Sequence, residues 1–109
     1  MNIKIKEGNN SKLIGGSLIT IFQNTYNNVL SKIGFEPNGH EDSWKKVAVS
    51  WVTEITFNGE HTYTLEIYDW KNYTIKPNED PDEVYDWHIG GRFTPTPEEL
   101  KALVEYLSL

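Results

Sequence analysis

Two adjacent stretches of alternating apolar and polar residues constrain the fold of this chain more than any other feature of its sequence. Residues 47–57 place large apolar side chains at nearly every second position, and residues 61–70 repeat the pattern. Side chains alternate between the two faces of a β-strand, so each stretch is predicted to be a strand with one buried face. Between them lies Asn58-Gly59, a strong signal for a hairpin turn. The sequence therefore predicts an antiparallel hairpin as the centre of the fold.

The length of the turn decides which residues of the hairpin share a face. A two-residue Asn58-Gly59 loop would place the polar residues of the second strand beside Trp51. A three-residue loop, Phe57-Asn58-Gly59 with Gly59 in the left-handed region, instead pairs Trp51 with Leu65 and keeps both apolar sets together. The sequence therefore predicts the three-residue loop. In that register Tyr68 and Trp70 point away from the apolar layer, whereas Asp69 points toward it.

The N-terminal part of the chain is predicted to form a short strand and a helix. Residues 3–6 alternate isoleucine with lysine, which is typical of a half-buried strand. Ser17 is a good N-cap for a helix over residues 18–33, and Gly34 suits the position after its end. The buried stripe of this helix would contain Leu18, Phe22, Tyr26, Val29 and Ile33.

The C-terminal part is predicted to add one strand and a second helix. Residues 84–89 form the strand, which Gly90-Gly91 would end. Thr96, Pro97 and Glu99 form a capping-box pattern with proline at the first helical position. The chain is therefore predicted to be a single α+β domain over residues 1–109. It would have an antiparallel sheet of about four strands, two helices, and the order β-α-β-β-β-α.

Composition and charge exclude several classes of function. The chain has 109 residues and no cysteine, so disulfides and thiolate metal sites are excluded. It shows neither a signal peptide nor an apolar run that could span a membrane, and a cytoplasmic location is expected. The net charge is −6, and residues 47–109 carry twelve acids against four basic residues. An acidic balance argues against general nucleic-acid binding, but it leaves open a partner with a basic surface.

The tripeptide Tyr-Asp-Trp occurs twice, at residues 68–70 and 85–87, and these copies supply most candidate site residues. The side chains of Asp86 and His88 would point the same way on a strand, which suits a carboxylate that orients a general base. Basic side chains and the Gly90-Gly91 backbone could hold an anion, and two tryptophans could stack on a base. The candidate ligand or partner residues are Tyr68, Trp70, Lys71, Trp87, His88, Arg92 and the acidic residues Glu79, Asp80, Asp82 and Glu83.

Motifs for established chemistry are missing from the sequence. There is no P-loop, no dinucleotide-binding fingerprint and no serine nucleophile elbow. The three histidines have no metal-ligand spacing, and a site at His40, Glu41 and Asp42 is the one metal alternative. No cofactor is therefore expected, and the sequence favours a protein that is not an enzyme.

The motifs Tyr68-Asp69-Trp70-Lys71 and Trp87-His88-Ile89-Gly90-Gly91 resemble those of small, mostly uncharacterised proteins of phage and prophage origin. The resemblance covers about residues 18–91. It implies a small acidic protein that inhibits a host defence system by binding one of its components in the host cytoplasm. No residue role is implied by it. This chain departs from the pattern in its acidic segment, residues 77–84, and in its C-terminal helix.

Three hypotheses follow from the sequence. The first is a small acidic non-enzymatic binding protein, of the phage inhibitor type that the resemblance implies, with a host or phage protein as its partner. The second is sequestration of a small nucleotide by Lys71, His88, Arg92 and the tryptophan pair. The third is a metal-independent phosphodiester hydrolase that uses Asp86 and His88.

Overall fold

The structure is a computed structural model and describes residues 1–9, 16–39, 47–70 and 76–109. The strands are Ile3–Glu7 (β1), Ser17–Thr25 (β2), Ser50–Phe57 (β3), His61–Asp69 (β4) and Val84–Gly91 (β5). The helices are Tyr26–Ile33 (α1) and Pro97–Leu107 (α2). No helix in the described ranges is long and apolar enough to cross a membrane.

The five strands form one antiparallel sheet in the order β1-β3-β4-β5-β2. The α+β class, the antiparallel sheet and the two helices agree with the sequence prediction. The predicted number of strands and the predicted order were wrong, because the described residues run β-β-α-β-β-β-α with five strands. The additional strand is β2, which occupies the first half of the predicted helix.

Residues 18–25 form a strand because their sequence suits a strand better than a helix. Ile19, Thr20 and Ile21 are consecutive β-branched residues, which lose side-chain freedom in a helix and pack well on a sheet. The helix begins only after Thr25, whose hydroxyl accepts a hydrogen bond from the Asn28 amide. Thr25, not Ser17, is therefore the N-cap. The predicted end is confirmed, since Gly34 has a φ of 91° and donates its amide to Leu30.

The central hairpin has a turn of three unpaired residues, Asn58 to Glu60, and its first pair is Phe57 with His61. Both Asn58 and Gly59 have positive φ, and the Glu60 amide donates to the Phe57 carbonyl. The predicted pairing of Trp51 with Leu65 was wrong by two residues, because the loop lies one residue later than expected. Trp51 pairs with Ile67. A shift of two residues keeps every side chain on its predicted face.

Both helices pack on the same face of the sheet, where the core lies. The buried core contains Trp51 and Trp87, whose ring centroids are 5.6 Å apart, together with residues of α1 and α2. Val29 and Ile33 come from α1, and Leu103 and Leu107 from α2. The face that the helices do not cover is called the outer face below. It presents the even-numbered residues of β4 and β5.

Candidate functional site

Three aromatic rings from β4, β5 and the residue after β4 meet on the outer face. Tyr68 pairs with His88 across the two strands, and Trp70 follows two positions after Tyr68. The side chains of Tyr68 and Trp70 point away from the core, as the sequence predicted. The rings of Tyr68 and His88 are 5.3 Å apart, and those of Trp70 and His88 are 5.9 Å apart with an interplanar angle of 24°. The rings of Tyr68 and Trp70 are themselves 6.5 Å apart, so the three rings form a triangle in which each contacts the other two.

The aromatic group continues onto β2 through Ile21, which pairs with His88 on the side away from Tyr68. Ile21 is 46% exposed and Trp70 is 40% exposed, whereas the rings between them are only partly exposed. We call Ile21, Tyr68, Trp70 and His88 the outer cluster. The sequence analysis missed Ile21 because it assigned this segment to a helix.

Gly90 explains how Tyr68 fits on the outer face. A Cβ atom at Gly90 would lie 3.2 Å from Cε1 of Tyr68, which is tighter than ordinary van der Waals contact. Gly90 and Gly91 were predicted to end the strand, but both are paired on each side within β5. Gly90-Gly91 therefore does not support an anion site, because a backbone paired within a sheet does not form the nest of amides that a free glycine turn could provide.

The outer cluster is uncharged at neutral pH. Burial lowers the pKa of His88 below its ordinary value of 6.5, although the nearby carboxylates of Asp86 and Asp69 act in the opposite direction. Burial, with a smaller effect of the Glu66 charge, raises the pKa of Tyr68. A neutral imidazole in contact with two aromatic rings makes this surface largely apolar at pH 7.

Asp86 does not orient His88 as a catalytic carboxylate would. The two side chains share the outer face, as predicted, but Oδ1 of Asp86 accepts a hydrogen bond of 2.9 Å from the Gln23 side chain on β2. A general base requires a partner that fixes its tautomer. Because the Asp86 carboxylate binds Gln23, it is not placed as the orienting partner of His88. The geometry therefore does not favour the hydrolase hypothesis.

Trp87 lies on the opposite face from Trp70. Its side chain is fully buried (0% exposed), and its indole nitrogen donates to the Asn24 carbonyl at 2.9 Å. Adjacent residues on a strand point to opposite faces, so Trp87 is directed inward while His88 is directed outward. Trp70 and Trp87 cannot stack on the two sides of one base, contrary to the nucleotide hypothesis.

Asp69 is fully buried (0% exposed) and holds the start of the central hairpin. Its Oδ1 accepts hydrogen bonds from the backbone amides of Ala48 and Val49, at 2.8 and 2.7 Å. The Asp69 amide in turn donates to the Val49 carbonyl. The central residue of the first tripeptide is therefore structural, and only the aromatic residues of that copy reach the outer face.

The acidic segment packs against the start of α1. The Pro81 carbonyl accepts from the Asn27 amide, and Asp82 accepts from the Asn27 side chain at 2.9 Å. The first turn of α1 has no acidic residue of its own, so Asp82 supplies the negative charge that a helix N-terminus favours. Glu79 and Glu83 remain exposed, and Asp80 is half-buried, with its carbonyl accepting from the Tyr85 hydroxyl.

Neither of the two basic candidate residues joins the outer cluster in the structure: Arg92 is not part of it, and Lys71 lies outside the described residues. Arg92 follows the end of β5 with its guanidinium 5.4 Å from the Phe93 ring. It lines a shallow groove with Thr62, Tyr63 and Thr64. Lys71, and the alternative metal site at residues 40–42, lie outside the described residues. In the described part of the chain, no group of three metal-binding side chains comes together.

A second polar cluster joins the central hairpin to α2. Glu99 accepts hydrogen bonds from the His61 ring at 2.9 Å and from the Tyr63 hydroxyl at 2.8 Å, in addition to its capping-box bond from the Thr96 amide. The capping box was predicted correctly. Burial alone would raise the pKa of Glu99, but these hydrogen bonds lower it from 4.5 to about 2. The carboxylate is therefore ionised at all ordinary pH values.

No protein-family model, curated protein or solved structure matches this chain. The resemblance to small phage proteins therefore stays a prediction from the sequence motifs.

Proposed function

We propose that this chain is a non-enzymatic protein-binding domain whose recognition surface is the outer cluster. The observation that carries the proposal is the exposure of large apolar side chains, Ile21 and Trp70, beside the rings of Tyr68 and His88 on the face that the helices leave uncovered. Trp and Tyr side chains are common at the energetic centres of protein interfaces. An aromatic surface of this kind is typical of an interaction site.

Acidic residues in β5 and in the segment that precedes it favour a partner with basic residues around an apolar centre. Asp86 lies next to His88 along β5, and Glu79 and Glu83 are exposed in the acidic segment that precedes this strand. Acidic groups near an apolar patch increase the rate of encounter with a basic surface more than they increase the final affinity. In this proposal the aromatic rings supply affinity and the carboxylates supply steering.

The resemblance to small phage proteins implies a particular kind of partner, a component of a host defence system that this chain would inhibit by binding. It rests on the motifs shared with small phage proteins and on the net charge of −6. Protein binding by the outer cluster does not depend on the partner being a defence component.

Binding measurements with a truncated tryptophan test the proposal. A partner captured with the wild-type chain is purified, and its affinity is measured by calorimetry for Trp70→Ala and for Phe93→Ala. Phe93 is an exposed aromatic residue after β5 and is not part of the outer cluster. We expect Trp70→Ala to weaken binding by roughly 2 kcal/mol, about thirtyfold, and Phe93→Ala to change it little.

The acidic residues give a second, separable readout. Replacing Glu79 and Glu83 with lysine should slow association and remove most of its dependence on salt, while dissociation stays nearly unchanged. If Trp70→Ala binds the partner as tightly as the wild-type chain, the outer cluster is not the recognition surface.

A further inference from the structure

Strand β2 is an edge of the sheet with an unusual composition for an exposed edge. Its nine residues, Ser17 to Thr25, contain no charged residue and no proline. In the described part of the chain its strand neighbour is β5, on one side only. Leu18 and Ile21 are exposed on it, at 50% and 46%. Long, uncharged and apolar edge strands are sites where another strand pairs.

The opposite edge of the same sheet provides an internal comparison. Strand β1 has only five residues, and three of them, Lys4, Lys6 and Glu7, are charged and exposed. Short length and charged side chains are the usual protection against edge-to-edge pairing. The two edges of this sheet thus differ: β2 is neither short nor charged, and its one irregularity is the register shift between Leu18 and Thr20.

The free side of β2 already accepts one backbone hydrogen bond from outside the sheet. The Leu109 amide donates to the Gln23 carbonyl at 2.9 Å, and Ser108 before it has extended backbone angles. An extended segment therefore continues the ladder at the Thr25 end of the strand. In the described part of the chain, no other segment pairs with residues 17–22 on that side.

We propose that residues 17–22 of β2 pair with the same residues of a second copy of this chain in an antiparallel, two-fold arrangement. The two five-stranded sheets would then form one continuous sheet. A register shift between Leu18 and Thr20 puts Leu18, opposite Gly90, and Ile21, opposite His88, on the same outer face. A register with Leu18 opposite Ile21 of the second copy therefore brings four exposed apolar side chains together on that face. The partner strand must itself be uncharged and apolar, and β2 has that composition.

The distribution of charge favours the antiparallel direction. The Thr25 end of β2 lies beside Val84, which follows the acidic Asp82 and Glu83, and the Ser17 end lies beside Gly91, which precedes Arg92. In an antiparallel pair the acidic end of one copy faces the Arg92 end of the other. A parallel pair would bring the two acidic ends together, which like charges oppose.

Sedimentation equilibrium over a range of concentrations tests this inference. For the wild-type chain we expect the mass to rise with concentration from 12.6 kDa toward twice that value. The double variant Leu18→Lys with Ile21→Lys should weaken self-association at least about tenfold, because it places four positive charges at the interface. Glu60→Lys, in the exposed turn between β3 and β4, changes the net charge by the same two units and should leave self-association unchanged.

Amide hydrogen exchange keeps the test decisive if the lysine variant folds poorly. Protection of residues 17–22 should increase with protein concentration, whereas protection of β1 should not. A wild-type chain that stays at 12.6 kDa at every soluble concentration overturns the inference, and so does a dimer that the double variant leaves intact. Trp70 is two strands away from β2 in the sheet. Trp70→Ala should therefore remain dimeric. Self-association and partner binding are thus measured independently, and either proposal can fail without the other.

Discussion

Replacing Asp69 with alanine should lower the free energy of unfolding by about 3 kcal/mol, because the partly buried amide of Ala48 and the buried amide of Val49 lose their acceptor. The carboxylate is fully buried, so water does not replace the lost bonds. Urea denaturation followed by circular dichroism measures the change. Asp69→Asn retains an oxygen acceptor at the same place and should recover part of the loss.

The second copy of the tripeptide supplies a matched control. Asp86 has the same sequence neighbours as Asp69, but it is exposed and accepts a hydrogen bond from the Gln23 side chain. Asp86→Ala should change the free energy of unfolding by no more than about 0.5 kcal/mol. Equal effects of the two alanine substitutions would contradict the structural role assigned to Asp69.

Glu99→Gln should destabilise the protein at pH 7 by about 2 kcal/mol, after allowance for solvent screening near the protein surface. Folding lowers the pKa of Glu99 from 4.5 to about 2, since its hydrogen bonds outweigh the cost of burial. A lowered pKa in the folded state stabilises the protein above the unfolded pKa. That contribution is lost as pH falls through the folded value.

The pH dependence distinguishes this effect from a simple packing defect. The difference in stability between the wild-type chain and Glu99→Gln should narrow as pH falls from about 4.5 toward 2. Thermal unfolding over that pH range measures it. Glu98→Gln is the control, because Glu98 is in the same helical turn but is exposed. A gap for Glu99→Gln that does not narrow would mean that its carboxylate charge is not what stabilises the fold.

The parts of the fold that rest on local patterns were predictable from the sequence. The alternation of residues 47–57 and 61–70 gave the hairpin, its turn and the faces of Tyr68, Asp69 and Trp70. The capping box at Thr96 gave the start of α2. The predicted register was wrong by two residues, but the predicted face of each residue was still correct, because side-chain direction in a strand repeats every two residues.

Strand β2 could not be identified from the helical spacing of its apolar residues. Leu18, Phe22 and Tyr26 fit one face of a helix, yet Phe22 pairs with Trp87 in a sheet. Pairing with β5 joins residues that are 59 to 74 positions apart, and such contacts decide between helix and strand when local preferences are close. The error hid Leu18 and Ile21, and with them the extent of the outer cluster.

The sequence predicted that Tyr68, Trp70 and His88 belong to one site, but it predicted some of the neighbouring residues wrongly. Tyr68, Trp70 and His88 come together, but Trp87 points inward because it is one residue away from His88. The Gln23 side chain that binds Asp86 could not be foreseen, since it comes from a strand that the sequence analysis read as a helix.

The doubled tripeptide has a consequence for how this chain can diverge. Asp69 is paired with Trp87 across β4 and β5, so the third residue of one copy and the second residue of the other share the inner face. Selection should therefore act on the copies in opposite ways. In the first copy the aspartate should persist while the tryptophan drifts with the partner. In the second copy the tryptophan should persist while the aspartate is free to change.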